Sequence, residues 1–107
     1  MIRTKTNIIT KKESYCKNAF TQTKGLMFSQ KKILVFIWKS EKLRPIHMFF
    51  VFFPIDLFYL NKNREIIEIK KNVKPFGFYN PKKKAQYLIE APLNLLSLKV
   101  KDVLKFN

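Results

Sequence analysis

Ile46-His47-Met48-Phe49-Phe50-Val51-Phe52-Phe53-Pro54-Ile55-Asp56-Leu57-Phe58-Tyr59-Leu60 contains one acid and no lysine or arginine. Phe49 to Phe53 run without a polar break, and a short apolar run rich in aromatic and β-branched side chains favours a strand covered on both faces. Pro54 removes a backbone donor, so the ladder must be edged, bulged or bent there. Ile55 to Leu60 then reads as a strand, Asn61 to Arg64 as a turn, and Glu65 to Lys70 as the returning arm of a hairpin. The asparagines of the turn are expected to supply positive φ, and Ile67 and Ile69 to alternate with Glu68 and Lys70 across a half-buried strand. A membrane-spanning helix needs about 20 apolar residues. This run has 15, interrupted by His47, Pro54 and Asp56, so it reads as buried strand and no membrane partner is expected.

Upstream, Lys31 to Trp38 (KKILVFIW) is a further strand and Arg3 to Thr10 the first one. Between them Lys17 to Lys24 suits a short helix ended by Gly25, which can take the left-handed cap conformation. Downstream, Pro75, Gly77 and Pro81 make Asn72 to Lys84 a long ordered loop. Ala85 to Glu90 is a strand stopped by Pro92, Leu93 to Leu98 makes one helical turn or two, and Val103 to Phe106 closes the chain as a short strand. This order predicts a mainly β fold, a small antiparallel β-sandwich or partly closed barrel with one or two short helices. Residues 1–107 are read as a single domain.

Charge follows the same layout. Residues 1–44 carry +9, residues 45–60 carry −1 and residues 61–107 carry +7, for a total of +15 from 22 basic and 7 acidic side chains. Such a balance excludes a strongly basic partner and makes nucleic acid a candidate one. Nineteen of the basic residues are Lys and three are Arg, although base and phosphate recognition favour the bidentate guanidinium. Lys, Asn, Ile and Phe supply 49 residues where Gly and Ala supply five. All four abundant types have codons built only from A and T, so base composition alone accounts for much of the charge. Cys16 is alone, which excludes an intrachain disulfide, gives no reason to expect a disulfide-linked partner, and fits a reducing cytoplasm.

Three blocks carry a resemblance to a known family: Lys24-Gly25-Leu26-Met27-Phe28, then Pro45 to Asn61 with its Pro-Ile-Asp on an aromatic strand, then Val73 to Pro92. In that order and spacing they are similar to the domain-of-unknown-function 192 family, also called uncharacterised protein family 0127, and most resemble its archaeal branch. The resemblance implies a compact, mostly β domain and no assigned activity. It also marks departures. Aromatics at Phe49 and Phe50 stand where bacterial relatives carry a Lys-Asn pair, Lys101-Asp102 stands at a Gly-Asp turn, and Asn94 stands at a glycine. Asn accepts positive φ at some cost, and Lys101 is a poorer substitute.

Among chemistry-bearing residues, Asp56 is the lone acid of the apolar centre, and a buried carboxylate must be paired, hydrogen-bonded or neutralised. It reads first as a backbone-binding carboxylate at a bulge and second as the centre of a small-ligand enzyme. His47 lies nine residues before it, roughly 30 Å away along a straight strand, so the two form no dyad without a sharp bend. One His, one Cys and scattered acids give no metal spacing. Neither glycine begins a phosphate loop, and no cofactor is expected. Phe76, Phe78 and Tyr79 with Lys82, Lys83 and Lys84 form the best binding candidate, because rings stack on bases and ammonium groups neutralise phosphates. The residues therefore favour a binding or accessory module over a catalyst, with nonspecific nucleic-acid binding through that loop as the alternative.

Overall fold

The computed structural model describes residues 2–3, 8–10, 13–16, 33–48 and 51–106. Nine strands are found there: β1 (Ile2–Arg3), β2 (Ile8–Thr10), β3 (Glu13–Cys16), β4 (Ile33–Lys42), β5 (Ile46–His47), β6 (Ile55–Leu60), β7 (Ile66–Val73), β8 (Phe78–Tyr79) and β9 (Ala85–Pro92). The main sheet has the order β3-β4-β9-β6-β7, flanked by the two-stranded pairs β1-β2 and β5-β8. All pairings are antiparallel except β3 with β4, which run parallel. The sheet is open at β3 and β7, so the fold is mainly β and not a closed barrel.

β6 lies inside this sheet, between β9 and β7, and all six of its residues are buried. Its apolar side chains alternate between two clusters because successive residues of a strand point to opposite faces. Ile55, Leu57 and Tyr59 join Leu34, Phe36 and Leu88 on one face, under Met48, Val51 and Phe53. Phe58 and Leu60 join Ile33, Val35 and Ile89 on the other, under Ile2, Leu96, Leu104 and Phe106. The sheet is thus covered on both sides, which explains why its strands read as apolar runs.

Several sequence expectations are corrected. Val51 to Phe53 is not strand: Val51 and Phe53 are buried and Phe52 is exposed, and this segment covers the sheet instead of joining it. Phe49 and Phe50 lie outside the described residues, as does the helix expected over Lys17 to Lys24. The ends of the Arg3–Thr10 stretch are two strands paired with one another, Ile2 opposite Thr10. Leu93 to Leu98 forms a turn, because Asn94 is left-handed at φ 60° and gives its N–H to Asp56. No helix occurs among the described residues, and hence none long and apolar enough to cross a membrane. β9 runs on through Pro92, opposite Ile55, where the missing donor falls at the strand's end. At the C-terminus the expected strand reduces to single bridge residues at Val103, which pairs with Glu65, and at Lys105.

The hairpin is confirmed with two changes. Asn61 organises the turn by accepting the Asn63 and Glu65 N–H groups on its side chain, but Arg64 takes the positive φ of 61°. A register shift between Tyr59 and Leu60 marks a bulge in β7, so Ile67 and Ile69 pack against opposite clusters. Arg64 then clamps the chain end: its guanidinium donates to the Phe106 carbonyl and lies 4.1 Å from the Phe106 ring centroid.

Candidate functional site

Asp56 is fully buried and wholly engaged. Its Oδ1 accepts the Asn72 N–H at 2.9 Å, and its Oδ2 accepts the Asn94 N–H at 2.9 Å and the Lys71 ammonium at 2.6 Å. Asn72 and Asn94 both have positive φ, 58° and 60°. Ile55 pairs with Val73 and Leu57 with Lys70, which leaves Lys71 and Asn72 bulged opposite Asp56. One carboxylate thus fastens a β-bulge in β7 to the turn after β9, and two left-handed asparagines present their N–H groups to it. His47 is not among its partners; it sits in another sheet, on β5 opposite Phe78. With both oxygens bonded, Asp56 holds backbone in place.

Lys71 and Asn94 also line an open cleft of about 410 Å³ between β7 and the segment after β9, together with Leu96, Ser97, Leu98 and Lys99. Asp56 is not in its wall. Sequence reading missed Lys71, because nothing in Ile66-Ile67-Glu68-Ile69-Lys70-Lys71 says which ammonium meets a carboxylate.

A second buried acid, Glu90, was also missed. It is 4% exposed, opposite Leu34 on β4 and Leu57 on β6, and makes no hydrogen bond among the described residues. Burial pushes its carboxyl up to about 8, because the charged form loses its hydration there. Tyr59 beside it has its hydroxyl pushed far upward by burial and then by the charges of Glu90 and Glu68, and donates to the Arg44 carbonyl at 2.9 Å. The signal was available: an acid inside Tyr-Leu-Ile-Glu-Ala, in a strand apolar on both faces.

The aromatic loop divides into an anchor and a display. Tyr79 turns inward, tilted against Tyr59 at 6.2 Å, and donates its hydroxyl to Glu68, whose carboxylate holds the Tyr79 hydroxyl pKa up to about 12. Glu68 also accepts the Lys82 and Lys83 N–H groups at 3.1 and 3.0 Å, while the side chains of Lys82, Lys83 and Lys84 are exposed. Phe76 and Phe78 point outward at 53% and 73% exposure. Phe76 meets a third ring that sequence reading assigned to the core: Phe52, 64% exposed, packs edge-on against it at 5.3 Å. Exposed His47 is the cross-strand neighbour of Phe78 and shares its face. Lys74-Pro75-Phe76-Gly77 closes with the Gly77 N–H on the Lys74 carbonyl at 3.0 Å. Phe76 has φ 61°, at the turn position where glycine is normally required. Among the described residues no group of three or more His, Cys, Asp or Glu side chains could hold a metal ion.

The family model DUF192, described as Uncharacterized ACR, matches residues 2–106. The chain belongs to this family. Curated relatives in it are archaeal, as the sequence blocks suggested. A UPF0127 protein of Thermococcus sibiricus is 35% identical over 98 residues, which is 88% of this chain and 63% of that protein. One from Pyrococcus furiosus is 35% identical over 89 residues, 78% of this chain and 76% of that protein. The chain therefore spans just under two thirds of the first relative's length. The DUF192 fold is also shared with a solved structure, a protein of unknown function from Novosphingobium aromaticivorans, at TM-score 0.80 and 18% identity, covering 88% of this chain and 74% of that one.

Proposed function

We propose that this DUF192 chain is a binding module whose contact face is the outer side of the β5–β8 pair, and that it takes single-stranded nucleic acid there. The reading is carried by three exposed phenylalanine rings, Phe52 packed edge-on against Phe76, and Phe78, just past the same turn, opposite His47 on the β5–β8 pair. Exposed aromatics on a short rigid ribbon form a stacking platform that every base can use. Phe76 adds to this, because a bulky side chain kept in the left-handed region costs about 1–3 kcal/mol and such strain concentrates at functional positions. Exposed Lys74, Lys82, Lys83 and Lys84 flank the rings in sequence and supply phosphate neutralisation. An enzyme centred on Asp56 is disfavoured by the engagement of both oxygens of that buried carboxylate with Lys71 and backbone N–H groups.

The test is fluorescence anisotropy with a labelled oligothymidylate across a salt series. The logarithm of the binding constant is expected to fall linearly with that of salt concentration, with a slope of about −0.7 per phosphate contact. Replacing Phe52, Phe76 and Phe78 together by Ser is expected to lower affinity about 100-fold or more, since each stacked base contributes about 1–3 kcal/mol. Absence of binding at low salt, or unchanged affinity in the triple variant, would overturn the reading.

A further inference from the structure

A cleft of different chemistry from the aromatic face lies between β7 and the segment after β9, and its walls are fixed by two acids that do not line it. Asp56 pins one end of the 94–99 segment through the Asn94 N–H at 2.9 Å. Asp102 pins the other by accepting the Lys99 N–H at 2.9 Å. Opposite stands β7 with Ile69 and Lys71, so the cleft of about 410 Å³ is held open by hydrogen bonds to backbone. That volume lies within the range of small-molecule sites, which are mostly apolar, largely preformed and carry few polar groups.

The lining has two parts. Ile69, Leu96 and Leu98 give an apolar wall, with Leu96 itself buried in the core beneath. Lys71 and Lys99 give ammonium donors, Ser97 and Asn94 give groups that can donate or accept, and no acidic side chain faces the space. Lys71 is 46% exposed and has its ammonium oriented by Asp56 at 2.6 Å, which spares a ligand part of the entropic cost of ordering it. From this we propose that the cleft binds an amphipathic anion, an aliphatic chain ending in a carboxylate. The chain lies along Ile69, Leu96 and Leu98, and the carboxylate takes a charge-assisted hydrogen bond from Lys71 with Ser97 and Lys99 at its side. Neither the family nor the aromatic face assigns this site.

The experiment is an amide-resolved NMR titration of the full chain with decanoate below its micellar concentration, beside acetate and decanol. Decanoate is expected to shift Ile69, Lys71, Ser97, Leu98 and Lys99 saturably, and to bind at least tenfold more tightly than acetate, which lacks the chain, or decanol, which lacks the charge. Lys71→Met is expected to weaken decanoate about tenfold and leave decanol unchanged, with Lys71→Arg restoring most of the loss. Because Lys71→Met also strips Asp56 of its cation, Ser97→Trp is the second variant: it fills the cleft without touching Asp56, and should abolish both ligands. The proposal fails if decanoate shifts centre on Phe52, Phe76 and Phe78, if they do not saturate, or if Ser97→Trp binds decanoate as the parent does.

Discussion

Asp56 and Glu90 sit in adjacent strands of one sheet, both buried, and differ in what surrounds them. Around Asp56, one ammonium and two backbone N–H groups replace the water it lost. Asp56→Asn keeps the shape but sets an amide NH₂ against one of those donors, so it is expected to cost about 2–4 kcal/mol in urea denaturation. Glu90 has no such replacement among the described residues and is held neutral up to about 8 by burial. A carboxyl whose folded pKa lies above its unfolded value contributes stability that is complete below the unfolded pKa and is lost as pH rises through the folded one. Stability is therefore expected to fall between about pH 4.5 and 8, by as much as about 5 kcal/mol if the full shift is realised. Glu90→Gln, measured by thermal unfolding across that window, should flatten the fall and leave the variant more stable than the parent at pH 8. Asp56 was legible as a structural acid from its isolation in an apolar run. Glu90 was not singled out, because one acid in a strand normally marks a solvent-facing position, and here both faces of the sheet are covered.

At the scale of elements, turns were legible where a residue type forces the backbone. Asn94 and Lys101 were marked as stand-ins for glycine and both have positive φ, 60° and 79°. The two should respond differently to glycine. Lys101→Gly is expected to stabilise by about 1 kcal/mol because lysine is strained there, whereas Asn94→Gly should be close to neutral because Asn enters the left-handed region at lower cost; chemical denaturation of the pair measures both. Strands β4, β6, β7 and β9 were legible from their apolar runs, and the Asn61–Arg64 reversal from its turn residues. The segment before Pro54 was not, because an unbroken Phe-Phe-Val-Phe-Phe run has no polar residue to mark an outward face. Only packing reveals that Val51 and Phe53 cover the sheet while Phe52 stands out. Burial and exposure alternate there as in a strand, without a ladder to join.

For the molecule as a whole, the exposed lysines among the described residues are dispersed: Lys39 and Lys42 on β4, Lys62 in the hairpin turn, Lys70 and Lys71 on β7, Lys74 after it, Lys82 to Lys84 before β9, and Lys99, Lys101 and Lys105 near the end. That spread agrees with a charge set largely by base composition. It supplies general attraction to polyanions and leaves the exposed rings to decide where contact is made. The central claim is thus that the β5–β8 face is the contact surface and the Asp56 centre is scaffold. Its most direct test is an amide-resolved NMR titration of the full chain with unlabelled oligothymidylate. The account predicts shifts gathered on His47, Phe52, Lys74, Phe76 and Phe78, with Lys71, Asn94 and Ser97 unmoved. Shifts gathered around Lys71, Asn94 and Ser97, with the phenylalanine face silent, would contradict it.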